Sequence, residues 1–152
     1  MAREKNVGPL LADFDAARAV VGRVAQATPM ESSRSLSAIL GTEVLLKCEN
    51  LQRTGSYKLR GAYNLISQLT PAERKKGVVA ASAGNHAQGV ALAAHELGIK
   101  ATIFMPLGVA LPKLEATQGY GANVVLEGNI FNESLTAAKA FAAKTGAVFI
   151  PP

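Results

Sequence analysis

Cysteine, histidine and aromatic side chains are scarce in this sequence. A single cysteine, Cys48, forbids an internal disulfide and points to a reducing compartment, the cytoplasm. The two histidines, His86 and His95, are nine residues apart. On one helix they would project from nearly opposite sides, so no shared metal site is expected. Aromatics make up 5% of the chain, the positive charges are scattered, and no nucleic-acid motif occurs. No apolar run approaches a membrane span, and Met1-Ala2-Arg3-Glu4-Lys5 leads into no signal-type apolar core. No Gly-x-Gly-x-x-Gly fingerprint follows a strand. Gly84 and Gly89 have the spacing of a phosphate loop, but Val90 and Ala91 stand where Lys and Ser/Thr would hold phosphate and Mg²⁺. No repeat, low-complexity tract or linker stands out.

What remains is an ordinary globular composition, 152 residues with 49% hydrophobic and 18% charged. The net charge of +5 is uneven. Residues 1–76 hold 12 basic and 7 acidic residues, whereas residues 77–152 hold 4 of each. An anionic ligand or plain solubility accounts for the basic half.

Residues 1–11 read as frayed. Helices are expected from Asp13 to about Val21 and from Ser32 to Leu40, the second stopped by Gly41. A buried strand is expected over Glu43–Cys48, with Cys48 as a small core residue. A helix from about Tyr57 to Leu69 follows. Thr70-Pro71-Ala72-Glu73 has the form of a capping box and opens a short helical turn. Beyond it the chain alternates. Strands at Gly77–Ala81, Ala101–Met105, Asn123–Leu126 and Ala147–Ile150 frame three helices: Asn85–Leu97 closed by Gly98, Leu111–Gln118 closed by Gly119, and Phe131–Lys144 closed by Gly146. The apolar alternation from Ala137 to Ala143 reads as core packing. This pattern implies right-handed crossovers and an α/β fold, a parallel sheet flanked by helices in three layers.

Two strand-to-helix handovers carry the chemistry. In the first, Thr54-Gly55-Ser56-Tyr57-Lys58-Leu59-Arg60-Gly61-Ala62 places Lys58 where a loop becomes a helix. A lysine amine there, once desolvated, can attack a carbonyl. Most lysines at such places are solvated charges. The second handover, Ser82-Ala83-Gly84-Asn85-His86-Ala87-Gln88-Gly89, shifts that balance. Asn85 opens a helix, and reads either as a plain N-cap or as a polar donor beside an anion site. Arg53 and Arg60, flanking the lysine loop, read as surface charges.

Together these segments resemble the serine/threonine dehydratase family, fold-type II enzymes that use pyridoxal 5′-phosphate. Thr28-Pro29, Lys47-Cys48-Glu49-Asn50-Leu51-Gln52, Met105-Pro106, Lys113, Tyr120-Gly121-Ala122 and Phe149-Ile150-Pro151-Pro152 extend the resemblance over nearly the whole chain after roughly residue 12. It implies β-elimination of L-threonine and L-serine to 2-oxobutanoate and pyruvate with ammonia. By resemblance, Lys58 holds the cofactor as a Schiff base and acts as general base when freed. Asn85 donates to the cofactor's ring oxygen, and the ring of Tyr57, often Phe in the family, packs against the cofactor. Ser82, Ala83, Gly84, Asn85 and His86 form the turn where the substrate carboxylate docks. Related serine racemases carry a second Ser where this chain has Ala83, so elimination rather than racemisation is expected. Serine racemase or hydroxyaspartate dehydratase chemistry, or a non-catalytic α/β binding module, are the alternatives.

The resemblance also implies an N-terminal portion: residues 1–51 begin a larger domain and residues 52–152 form the small one. The family's glycine-rich phosphate loop is absent from these residues, so little turnover is expected of them alone. A homo-oligomeric complete enzyme, an amino-acid substrate and no nucleic-acid or membrane partner complete the expectation.

Overall fold

The computed structural model describes residues 8–152. The expected fraying of residues 1–11 thus lies largely outside the described residues. Helix α1 (Leu11–Val21) starts two residues before the expected Asp13. Strand β1 (Met30–Ser32), helix α2 (Arg34–Leu40) and strand β2 (Leu45–Lys47) follow. Ser33 caps α2 by accepting the Leu36 N–H, and Gly41 ends it in the left-handed conformation at φ 68°.

The expected buried strand at Glu43–Cys48 is corrected here. Among the described residues β2 pairs only with β1, antiparallel, in a two-stranded ribbon. Leu45 and Leu46 are 49% and 45% exposed. Cys48 lies just past β2 and is half-buried, not a core residue. Apolar content announces what a strand would bury but not whether anything covers it.

The remaining elements alternate as expected. After a 3-10 turn at Glu49–Leu51 come α3 (Lys58–Ser67), α4 (Pro71–Lys76), β3 (Val78–Ala81) and α5 (Asn85–Glu96). Then come β4 (Ala101–Met105), α6 (Leu111–Gly119), β5 (Asn123–Leu126), α7 (Phe131–Thr145) and β6 (Val148–Phe149). Thr70 and Glu73 form the capping box at the start of α4, reciprocally bonded. Gly119 does not close α6 as expected; it is the last helical residue, and the left-handed position falls on Gly121 at φ 84°.

β3 to β6 form one parallel sheet in the order β5-β4-β3-β6. Side chains alternate across it. Val78 and Ala80 face one core with α3 and α5, while Val79 and Ala81 face a second core under α7. This makes three layers, with helices on both faces of the sheet. α3 buries Leu59, Ala62, Tyr63 and Ile66, a 3.6-period stripe, against α5. α5 is buried almost all round because it lies between α3 and the sheet. On α7 only one face packs: Ser134 and Ala138 are buried, whereas Ala140 and Ala143 face solvent, so the expected core run from Ala137 to Ala143 is half surface.

The strand order reverses at β3. The chain steps from β3 to β4 to β5 on one side, then crosses back to β6 on the other. In doubly wound sheets ligands bind outside the carboxyl ends of the strands at such a switch point. Here that point lies between the loop after β3, Ser82–Gly84, and the residues after β6, Ile150–Pro152.

Candidate active site

A cavity of about 270 Å³ opens at this switch point. Its wall comes from the start of α3 (Tyr57, Lys58, Gly61), from His86 at the start of α5, and from Ile150, Pro151 and Pro152 after β6. Of the residues singled out in the sequence, Tyr57, Lys58 and His86 meet here. Ser82, Ala83, Gly84 and Asn85 form the loop leading into His86 and do not line the cavity.

Lys58 is the first residue of α3 and is half-buried. Among the described residues its amine makes no hydrogen bond and no ion pair. The Tyr57 ring lies beside it, with its centroid 5.6 Å from Nζ. Tyr57 is 61% exposed, so its hydroxyl stays in water.

His86 is buried, and its Nε2 lies 3.2 Å from the Ile150 carbonyl oxygen. A carbonyl only accepts, so Nε2 carries the proton and Nδ1 is left as an acceptor. Burial pushes the imidazole pKa down; the Ile150 carbonyl opposes this, and the nearby Lys58 charge adds to the lowering. The bond ties the loop after β3 to the end of β6 and so fixes two walls of the cavity.

The loop itself is built locally. Ser82 Oγ accepts the Gly84 N–H at 3.2 Å, and the Ser82 N–H donates to the Phe104 carbonyl. Gly84, not Asn85, is the N-cap of α5, and no side chain caps it. The plain N-cap reading of Asn85 therefore fails. Asn85 is the first helical residue, exposed, with its amide uncommitted among the described residues.

Several residues that hold the lysine loop were not legible as functional. Glu49 accepts both Arg60 Nε at 2.7 Å and Arg60 Nη2 at 2.8 Å, and also accepts Thr28 Oγ1 at 2.6 Å. The Arg60 guanidinium holds the Glu49 carboxyl down at about 2. Arg53 donates to Glu96 at 2.7 Å. Both arginines therefore brace the loop; Arg53 is exposed, as its reading as a surface charge expects, whereas Arg60 is half-buried. Gln52 clamps Gln26 with two bonds, Nε2 to the carbonyl at 3.0 Å and Oε1 from the N–H at 2.9 Å. Tyr120 donates to the Arg53 carbonyl at 2.9 Å. These contacts join residues 11 to 67 positions apart, which no local pattern in the sequence marks.

One buried polar atom inside this brace has no partner: the Ser56 hydroxyl, on a residue 6% exposed, two positions before Lys58. Buried polar groups are normally bonded, but Ser56 does not line the cavity. Of these groups the Lys58 amine is the one on the cavity wall, and an amine there suits a carbonyl compound.

Comparison with known proteins decides the family. The enzymes described as pyridoxal-phosphate dependent match this chain over residues 22–152. The chain belongs to this family. Its residues are 54% identical over 142 residues to the L-threonine ammonia-lyase of Thermotoga maritima, covering 93% of this chain and 35% of that protein. The structure superposes on the processed form of threonine deaminase isoform 2 from Solanum lycopersicum with a TM-score of 0.84 and 41% identity, covering 97% of this chain and 42% of that one. It superposes on maize serine racemase with a TM-score of 0.83 and 36% identity, covering 90% and 42% respectively. The chain thus spans less than half the length of the relatives named here. The family's cofactor is pyridoxal phosphate, and the cavity wall suits it with an amine for its aldehyde and an aromatic neighbour.

Proposed function

We propose that this chain supplies the lysine-bearing part of a threonine ammonia-lyase, which converts L-threonine to 2-oxobutanoate and ammonia and L-serine to pyruvate and ammonia. The observation that carries the reading is Lys58 itself: a half-buried amine, unpaired among the described residues, at the head of α3, on the wall of the switch-point cavity. When bound, pyridoxal phosphate supplies an electron-withdrawing ring that makes the substrate's α-proton removable. Lys58 Nζ would hold the cofactor's carbonyl carbon and, once displaced, take the proton from the substrate α-carbon. Tyr57 would flank the ring. Asn85 would donate its amide to the ring oxygen. The backbone N–H groups and hydroxyl of the Ser82–His86 turn would orient the substrate carboxylate at the start of α5, where helix N–H groups and the dipole favour an anion.

Elimination is assigned over racemisation on Ala83. Racemisation needs a proton-bearing group on the opposite face of the substrate, and a methyl side chain carries none. The serine racemase relatives are the specific ground for the second reading. We further infer that residues 1–51 belong to a larger catalytic domain and residues 52–152 to a small one. The complete enzyme is inferred to be cytoplasmic and homo-oligomeric, in threonine catabolism or isoleucine biosynthesis. Among the described residues no helix is long and apolar enough to cross a membrane.

The test uses a full-length enzyme carrying residues 22–152 of this chain, such as the Thermotoga maritima relative with this segment exchanged. L-Threonine is expected to yield 2-oxobutanoate and ammonia, and Lys58→Ala to abolish the yield. Turnover at an unchanged rate in Lys58→Ala would sink the reading. Substantial D-serine from L-serine would favour racemisation instead.

A further inference from the structure

Glycine in a helix interior is worse than alanine by about 1 kcal/mol. Gly89 nevertheless sits buried inside α5. A β-carbon built on it would lie 3.0 Å from the Lys58 carbonyl carbon, and 3.1 Å from both the Lys58 oxygen and the Leu59 nitrogen. These are backbone atoms in the first turn of α3. They cannot swing aside as a side-chain tip would. Gly61, on α3 itself, has nothing within 4 Å of the corresponding position.

Gly89 lies four residues after Asn85, so the two share one face of α5. That face rests on the Lys58 peptide. The contact therefore fixes the separation between the two segments that the proposed chemistry needs together. We infer that Gly89 is a positioning residue: its missing side chain lets α5 close onto the backbone of Lys58 and sets the lysine amine against the Asn85 loop. This inference rests on the reading of Lys58 as the cofactor-holding amine.

The test reads where pyridoxal phosphate attaches, not turnover. The full-length enzyme carrying residues 22–152 of this chain is incubated with the cofactor and reduced with borohydride, and peptide mass spectrometry gives the share of label on Lys58 relative to the other lysines. Gly89→Ala is expected to cut that share about threefold, since backbone contacts this tight must give by a few tenths of an ångström and a misplacement of about 1 Å costs on the order of a hundredfold in positioned chemistry. Phe141→Ala serves as the stability control. Phe141 packs against Phe104 on the opposite face of the sheet, with ring centroids 5.6 Å apart. Its loss lowers the melting temperature and leaves the Lys58 share unchanged. Should Gly89→Ala melt too low, labelling in trimethylamine N-oxide, which favours the folded state, compares the chains at equal folded fraction by circular dichroism. A folded Gly89→Ala chain that labels Lys58 as fully as the unsubstituted one overturns the inference and leaves the lysine reading intact. Equal loss of label in the Phe141→Ala control also overturns it. Absence of selective Lys58 labelling in the unsubstituted chain overturns both.

Discussion

His86 illustrates how one side chain serves both shape and charge. Burial favours its neutral form, so the folded state binds its proton less readily than the unfolded chain, whose ordinary value is 6.5. Its contribution to stability is therefore complete above pH 6.5 and falls as acid is added below it. Urea melts across that range should show the fall, and His86→Gln should flatten it; an unchanged slope in the variant would contradict the assignment. At this scale the sequence marked Lys58, Asn85 and His86 because strand-to-helix handovers recur in chain order. It did not mark Gly89 as a contact or Ser56 as an orphan. Both depend on which helix lies against which, and that is set by packing between segments about thirty residues apart.

Among the elements, the loop between β2 and α3 is the part under most constraint. The Glu49–Arg60 pair joins the loop's start to the helix that follows it, and Thr28 joins the same carboxylate to the segment after α1. The folded pKa of Glu49, about 2, lies below its ordinary 4.5. The pair's contribution is thus complete above pH 4.5 and is lost as pH falls toward about 2. Glu49→Gln should cost about 2 kcal/mol at neutral pH, the scale of a hydrogen bond to a charged group, and should remove that acid limb from a stability–pH profile. A profile identical to the unsubstituted chain would contradict the brace. The strands and helices from β3 onward were legible because their periods differ cleanly, 2 against 3.6, and glycines punctuate them. β1 was missed because Met30-Glu31-Ser32 has no alternation to read, and β2 was misread as buried because its apolar run carries no information about its cover.

Over the whole molecule, the reversal of strand order places the site. Loops after β3 and β6 meet there, and the His86–Ile150 bond joins them. The alternation of strands and helices announced a parallel sheet, but the order β5-β4-β3-β6, and with it the switch point, required the pairing itself. The same overview shows Met30, Leu36, Ile39, Leu40, Leu45 and Leu46 exposed together on the β1–α2–β2 segment. Leu45 and Leu46 are successive on β2 and point to opposite faces, so both faces of the ribbon expose apolar surface, which favours association. Sedimentation should find the chain self-associating, and Ile39→Lys with Leu46→Lys should shift it toward monomer. A monomeric unsubstituted chain at high concentration would contradict this.

The central claim is that Lys58 is set apart from every other lysine by its place at the head of α3. The most direct measurement is the distribution of borohydride-fixed pyridoxal phosphate over the lysines of the unsubstituted chain, read by peptide mass spectrometry. The account predicts label concentrated on Lys58 and lost in Lys58→Ala. Label spread evenly over the surface lysines would contradict it.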